Sequence, residues 1–255
     1  MNAPFETVVY GVSDAVASIT MNRPDSRNAL NAQMCREMAA AFELATSSDQ
    51  VRLVLVRGAG TAFCAGADLK ERQAMEIADV LSRRTAAFEL YRTIEVCPKP
   101  VIAVVHGAAA GSGLEIAAAC DFIVATRGAE FWTPEAQWGT VGATQRLPKI
   151  VGKRLAKELM FTGRRMGADE ARDVGLVNRV VPAQELDMEV AAMVDQIVRA
   201  PPLAVALAKR CIDRNSEASA EAALAEETSA IEENLRRSAW KESINEFGSA
   251  NANSR

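Results

Sequence analysis

Along this chain, short apolar runs alternate with longer stretches in which apolar positions recur every three to four residues. Val51–Arg57, Val101–Val105, Phe122–Ala125 and Val177–Val181 are compact and rich in apolar residues, the pattern of strands covered on both faces. Val8–Tyr10 and Ala15–Thr20 flank Gly11-Val12-Ser13-Asp14 and predict a hairpin with its turn at those four residues. Residues 31–45 place Met34, Met38, Ala41, Phe42 and Ala45 on one helical face. The stretch from Asp68 to about Glu95 is long, charged and partly apolar, which predicts a second helix and the most mobile element of the chain. Strands interleaved with helices indicate an α/β protein rather than a sandwich or a bundle.

Beyond Pro201-Pro202 the strand signal stops, and helical patterns follow at 203–214, 219–236 and 240–247. A helical section of this size is too small to bury a large core alone, so it is expected to pack on its own domain and on a neighbouring subunit. The division expected is an α/β core over residues 1–200 and a helical region over 201–255. Gly248–Arg255 is Ser-, Ala- and Asn-rich and is expected to be disordered.

Charge and composition narrow the chemistry. With 29 Lys and Arg against 33 Asp and Glu, the 255-residue chain carries a formal charge of −4 and no basic block, which argues against nucleic acid or anionic lipid as a partner. No apolar run approaches the ~20 residues that cross a bilayer, and the first ten residues lack a leader pattern. The single histidine, His106, leaves no imidazole cluster for a metal. Cys35, Cys64, Cys97, Cys120 and Cys211 are odd in number, with no C-x-x-C, and read as reduced thiols in a cytoplasmic protein.

Three segments carry candidate chemistry. Gly111-Ser112-Gly113 follows a buried strand and opens a helix, but Ile116 stands where a dinucleotide-binding motif needs its third glycine. Backbone N–H groups at such a helix start can stabilise developing negative charge. Glu115 follows within Leu114-Glu115-Ile116-Ala117, where a carboxylate is either functional or on the one wet stripe of a buried helix. Glu135 lies in Phe131-Trp132-Thr133-Pro134-Glu135, alone an ordinary loop carboxylate, but with Glu115 an acid–base pair that needs no histidine. Thr61–Lys70 forms a turn of small residues between strand and helix, open to close ligand approach, with Asp68 as the helix cap.

Together these segments resemble the enoyl-CoA hydratase/isomerase (crotonase) superfamily. The resemblance runs through Asn22-Arg23-Pro24, Asn28-Ala29-Leu30, Phe63-Cys64-Ala65-Gly66-Ala67-Asp68-Leu69, Lys99-Pro100-Val101-Ile102-Ala103, Gly111-Ser112-Gly113-Leu114-Glu115, Pro134-Glu135, Thr144-Gln145-Arg146-Leu147-Pro148 and Gly175-Leu176-Val177. It implies a spiral of ββα units with an α-helical C-terminal trimerisation region, and a homotrimer or a dimer of trimers. It also implies an acyl-CoA thioester substrate, coenzyme A being part of the substrate and no other cofactor being required. By the same resemblance, the backbone N–H groups of Ala67 and Ser112 form the oxyanion hole, where the family usually has glycine at the second position. Glu115 and Glu135 become the catalytic residues, and Arg27, Ala29, Ala65, Asp68, Leu69, Gly111 and Pro134 contact substrate.

Retention of both glutamates points to hydration of a 2-enoyl-CoA in fatty-acid, amino-acid or aromatic-acid breakdown. The alternatives are isomerisation, a hydratase-lyase reaction, or a silent acyl-CoA-binding relative. One departure is the stretch Trp138–Arg146, shorter than the Gly-rich loop of hydratases, which bears on where Glu135 sits. Glu135-x-x-Trp138-Gly139 resembles the hydroxycinnamoyl branch, while Phe63–Arg72 resembles methylglutaconyl-CoA hydratases. Trp132 and Trp138 either narrow the pocket or fill the missing volume. Arg27 and Lys70 are candidates for the CoA phosphates or simply solvated cations, and His106 and Cys64 read as structural.

Overall fold

The computed structural model describes residues 5–215 and 218–237, with Trp240, Lys241 and Ile244 beyond them. The predicted helix at 240–247 and the tail from Gly248 therefore lie largely or wholly outside the described residues. The strands are β1 (Val8–Ser13), β2 (Val16–Met21), β3 (Leu53–Gly58), β4 (Val101–Val105), β5 (Ala108–Ala110), β6 (Phe122–Thr126), β7 (Glu130–Trp132), β8 (Met166–Gly167) and β9 (Arg179–Val181). The helices are α1 (Ala32–Ser47), α2 (Leu69–Gln73), α3 (Ile77–Glu95), α4 (Ser112–Ala119), α5 (Arg146–Val151), α6 (Lys153–Thr162), α7 (Ala168–Asp173), α8 (Leu186–Arg199), α9 (Pro202–Asn215) and α10 (Ala220–Arg237).

A six-stranded sheet runs in the order β1-β2-β3-β4-β6-β9, antiparallel at β1–β2 and parallel thereafter. Its central strands are apolar on both faces because both faces are covered. Val54, Val56, Ala103 and Val105 join Met34, Met38 and Phe42 of α1 in the main core. Leu53, Leu55, Ile102, Val104 and Val124 turn the other way, against Leu186 and Val190 of α8. A smaller sheet, β5-β7-β8, lies beyond the ends of β4 and β6. Bridges from Cys64 to Ala109 and from Leu30 to Ala67 extend the same layer through the 63–67 segment. Successive strand–strand–helix units, such as β4-β5-α4, thus place their second strands side by side, as the expected ββα spiral requires.

Two local expectations change. The hairpin turn is Asp14-Ala15, not Gly11–Asp14: Ser13 pairs with Val16, and both turn residues have positive φ, 49° and 66°. A two-residue turn of this hand matches the right-handed strand twist, which a turn of the opposite hand would splay. The stretch 68–95 is not one helix. It breaks between α2 and α3, where Asp79 accepts a hydrogen bond from the Glu76 amide at 3.3 Å and restarts the helix. α3 then buries Arg83, Ala87, Leu90, Tyr91 and Ile94, one stripe at helical spacing.

The first two of the expected C-terminal helices form, as α9 and α10. α9 is tied to the core by Lys209, whose ammonium lies 2.8 Å from Asp121, and α10 is tied to α9 by Arg210, which bridges Glu226 and Glu233. No single helix among the described residues is long and apolar enough to cross a membrane. All five cysteines are free thiols.

Candidate active site

The site is built where the second-layer strands meet helix starts. The 63–67 segment is held on both sides: the Cys64 amide donates to Ala108 (2.9 Å), the Ala65 amide to Arg27 (2.9 Å), and the Leu30 amide to Gly66 (2.7 Å). The Asp68 amide donates back to the Leu30 carbonyl at 3.0 Å, which also accepts from buried Arg83 at 2.6 Å. This parallel pairing uses the groups flanking Ala67 and turns its own N–H away from Leu30. Ser112, first residue of α4, has an N–H that no intrahelical carbonyl can accept. Gly66 lies between them. A Cβ there would sit 3.0 Å from the Ala110 carbonyl oxygen and 4.0 Å from the Ser112 nitrogen. The 63–67 segment therefore passes beside the start of α4, where the Ser112 amide sits at the positive end of the helix dipole.

The demand for glycine falls on Gly111 rather than on position 112. Gly111 has φ 47° and ψ −112°, a region closed to side chains, whereas Ser112 is not among the residues with positive φ. Ser112 is thus compatible with the N–H it presents. Its side chain lies near the phenol of Tyr91, whose pKa burial holds above the ordinary tyrosine range.

Glu115 lies one helical turn into α4 and is 6% exposed. Burial raises its pKa; Arg146, with Nη1 3.2 Å from Glu115 Oε2, opposes the rise, and the nearby charge of Glu135 adds to it. Glu135 follows β7, whose Trp132 carbonyl accepts from the Gly111 amide at 3.0 Å. That pairing delivers the glutamate to the glycine before the Ser112 amide: a Cβ on Gly111 would lie 2.6 Å from Glu135 Oε1. Oε2 is buried without a hydrogen-bond partner. Burial raises the pKa of Glu135 too, against its own backbone N–H and the charge of Arg84. Two carboxyls whose pKa values burial raises therefore lie close to the start of α4, and groups of this kind can exchange protons near neutral pH.

The family model for enoyl-CoA hydratase/isomerase matches residues 11–251. The chain belongs to this family. It is 37% identical to a short-chain-enoyl-CoA hydratase of Clostridium acetobutylicum over 244 residues, 94% of each chain. It is 35% identical to a crotonyl-CoA hydratase of Syntrophomonas wolfei over 231 residues, 89% of each. The crystal structure of an enoyl-CoA hydratase from Bacillus anthracis superposes with a TM-score of 0.93 at 32% identity, covering 96% of this chain and 97% of that one.

Within this enoyl-CoA hydratase/isomerase fold, the loop after Glu135 is pinned. Gln137 donates to the Phe161 carbonyl at 2.9 Å, and the Thr140 amide returns to the Glu135 carbonyl at 2.9 Å. Gly142 packs on the glutamate, since a Cβ there would lie 2.8 Å from Glu135 Cγ. Trp132 lies under the Arg165 guanidinium at 4.6 Å, and Trp138 is half-exposed.

The remaining candidates divide. Ala29, Ala65 and Ala67 are half-buried, Gly111 is buried, and Pro134 is buried beside Glu135. Asp68 caps α2 by accepting from the Lys70 and Glu71 amides and pairs with Arg23 at 2.8 Å. Burial would raise its pKa, but the Arg23 hydrogen bond and these amides outweigh it and hold the carboxyl low. Leu69, Lys70 and the Arg27 side chain are exposed. His106 bonds the Gly60 carbonyl at 2.9 Å, and the buried Cys64 thiol is pushed up to about 12 by desolvation, so both are structural. Nothing local in the sequence marks Arg146, Tyr91 or Arg84 for the site, because only folding brings α3 and α5 to α4.

Proposed function

We infer that this chain adds water across the 2,3 double bond of a 2-enoyl-CoA thioester, the enoyl-CoA hydratase reaction. The observation that carries the reading is the joint approach of Glu115 and Glu135 to the helix start that presents the Ser112 amide. The thioester oxygen accepts from the Ala67 and Ser112 N–H groups, which draws electron density from the β-carbon and stabilises the enolate that follows. Glu115 takes a proton from water as the water oxygen bonds to Cβ. Glu135 delivers a proton to Cα, and the enolate collapses to the 3-hydroxyacyl thioester. Coenzyme A enters as part of the substrate, and no separate cofactor belongs to this reading. The names of the Clostridium and Syntrophomonas relatives support it.

The assay is loss of the conjugated enoyl-thioester absorbance with short, branched and aromatic 2-enoyl-CoA esters. Turnover that Glu135→Gln abolishes supports the reading. Binding without turnover of any ester overturns it in favour of a silent acyl-CoA-binding relative.

The reading extends to assembly. The 201–255 region leaves Ile212, Leu224 and Ile231 exposed, at 72%, 66% and 53%, and these supply an apolar surface for neighbouring copies in a trimer or dimer of trimers. Light scattering after gel filtration tests it, and a monomer at micromolar concentration refutes it. The five free thiols suit the reducing cytoplasm, and β-oxidation is one pathway that uses this reaction.

A further inference from the structure

Arg146 connects three helices around the candidate base. Its Nε and Nη2 lie 2.6 Å and 2.8 Å from the two carboxylate oxygens of Glu95 at the end of α3. Its Nη1 lies 3.2 Å from Glu115 Oε2 on α4, and the guanidinium stacks 5.2 Å from the centroid of the Tyr91 ring. The Arg146 and Glu115 side chains are 12% and 8% exposed, whereas Glu95 is 42% exposed. A guanidinium is a rigid planar fork, so the bidentate Glu95 contact and the Tyr91 face together fix its plane and direct its remaining edge at Glu115.

Glu115 needs that partner. Its neighbours Leu114, Ile116 and Ala117 are all buried, a setting in which a carboxyl takes up a proton and can no longer accept one from water. The titratable groups that face it are Arg146 from α5, Arg84 and Tyr91 from α3, and Glu135 from the loop after β7. Of the two cations, Arg146 alone makes a hydrogen bond to it among the described residues.

We propose that Arg146 is a positioning residue for the reaction: anchored by Glu95 and Tyr91, it keeps Glu115 ionised and holds Oε2 so that Oε1 is left to the water. This rests on the reading of Glu115 as the base. Glu95 has the opposite influence on charge, since as an anion it takes part of the guanidinium's attraction away from Glu115. Loss of Arg146 and loss of the Glu95 charge therefore act with opposite sign on Glu115, although both break the same α5–α3 ion pair. A purely structural role predicts the same sign for both.

The experiment is the pH profile of kcat/KM for the best 2-enoyl-CoA ester, whose acid limb reports the base of the free enzyme, together with thermal melting. Arg146→Gln should move the acid limb up by about 1 pH unit or more, the scale of a close opposite charge. Arg146→Lys, which keeps the charge, should restore most of that shift. Glu95→Gln should melt lower, with its acid limb at or below the wild-type value. The proposal is overturned if the Arg146→Gln limb coincides with wild type, if Arg146→Lys shifts as far as Arg146→Gln, or if Glu95→Gln shifts upward. Should Arg146→Gln fail to fold, the Glu95→Gln limb and an Arg146→Lys limb near wild type decide the matter. Glu115→Gln separates the two readings: full turnover there removes Glu115 as the base, whereas an inactive Glu115→Gln with an unshifted Arg146→Gln limb removes Arg146 alone.

Discussion

Glu135 Oε1 occupies the space that a side chain on Gly111 would need, 2.6 Å from the ideal Cβ position. The glycine therefore serves two purposes. Its positive φ turns the chain so that Ser112 opens α4 with a free N–H, and its missing side chain admits the carboxylate beside that N–H.

Gly111→Ala should fail on both counts. A φ of 47° with ψ −112° costs a residue with a side chain about 1–3 kcal/mol, and the methyl group displaces Glu135. The expected result is a loss of kcat of at least ~10² with a lower melting temperature. Retention of wild-type kcat would show that Glu135 does not act from this position.

Glu115→Gln and Glu135→Gln should each reduce kcat by at least ~10², the usual contribution of a general acid–base group, while KM changes little because shape and polarity are kept. Steady-state kinetics on both variants decide it. A rise in KM at constant kcat would assign the affected residue to binding instead.

Glu135 should destabilise the fold at neutral pH. Its pKa lies above the ordinary 4.5 because burial disfavours the charged form. A folded-state pKa above the unfolded one contributes stability that is fully present below the unfolded value and is lost as pH rises through the folded value. Thermal melts should therefore show Glu135→Gln more stable than wild type at pH 7, with the gain shrinking as pH falls toward the ordinary carboxylate range. A gain independent of pH would point to packing rather than charge.

At the far end of the sheet, Ala15→Gly should stabilise the protein. Ala15 sits at φ 66° in the β1–β2 turn, where a side chain costs roughly 1–2 kcal/mol, more than the roughly 0.5–1 kcal/mol of extra chain entropy that glycine loses on folding. Denaturant titration should show a net gain of about 0.5–1 kcal/mol, with kcat unchanged.

The legibility of these features in the sequence followed the range of the forces involved. Val101–Val105 reads as a doubly covered strand because five consecutive apolar residues have few other uses, and α1 reads clearly because its buried stripe is regular. β5, β7 and β8 have three, three and two residues, too few for any periodicity, and they exist because β4 and β6 carry them into register. The break between α2 and α3 was hidden because helical spacing resumes after it. α8 presents only Leu186 and Val190 as fully buried positions, a weak stripe that matters because it covers the second face of the sheet.

The candidate site divides in the same way. By itself the sequence determined the α/β class, the glycine-bearing helix start, the two carboxylates in apolar settings and, through their joint resemblance, the family. Those are local properties of backbone freedom and hydrophobicity. Only the tertiary structure decided that glycine is required at Gly111 rather than at Ser112, that Glu135 reaches Gly111, and that Arg146 meets Glu115, Glu95 and Tyr91 at once. Each of those depends on distances between segments far apart along the chain, and such distances are set by how the sheet and helices pack.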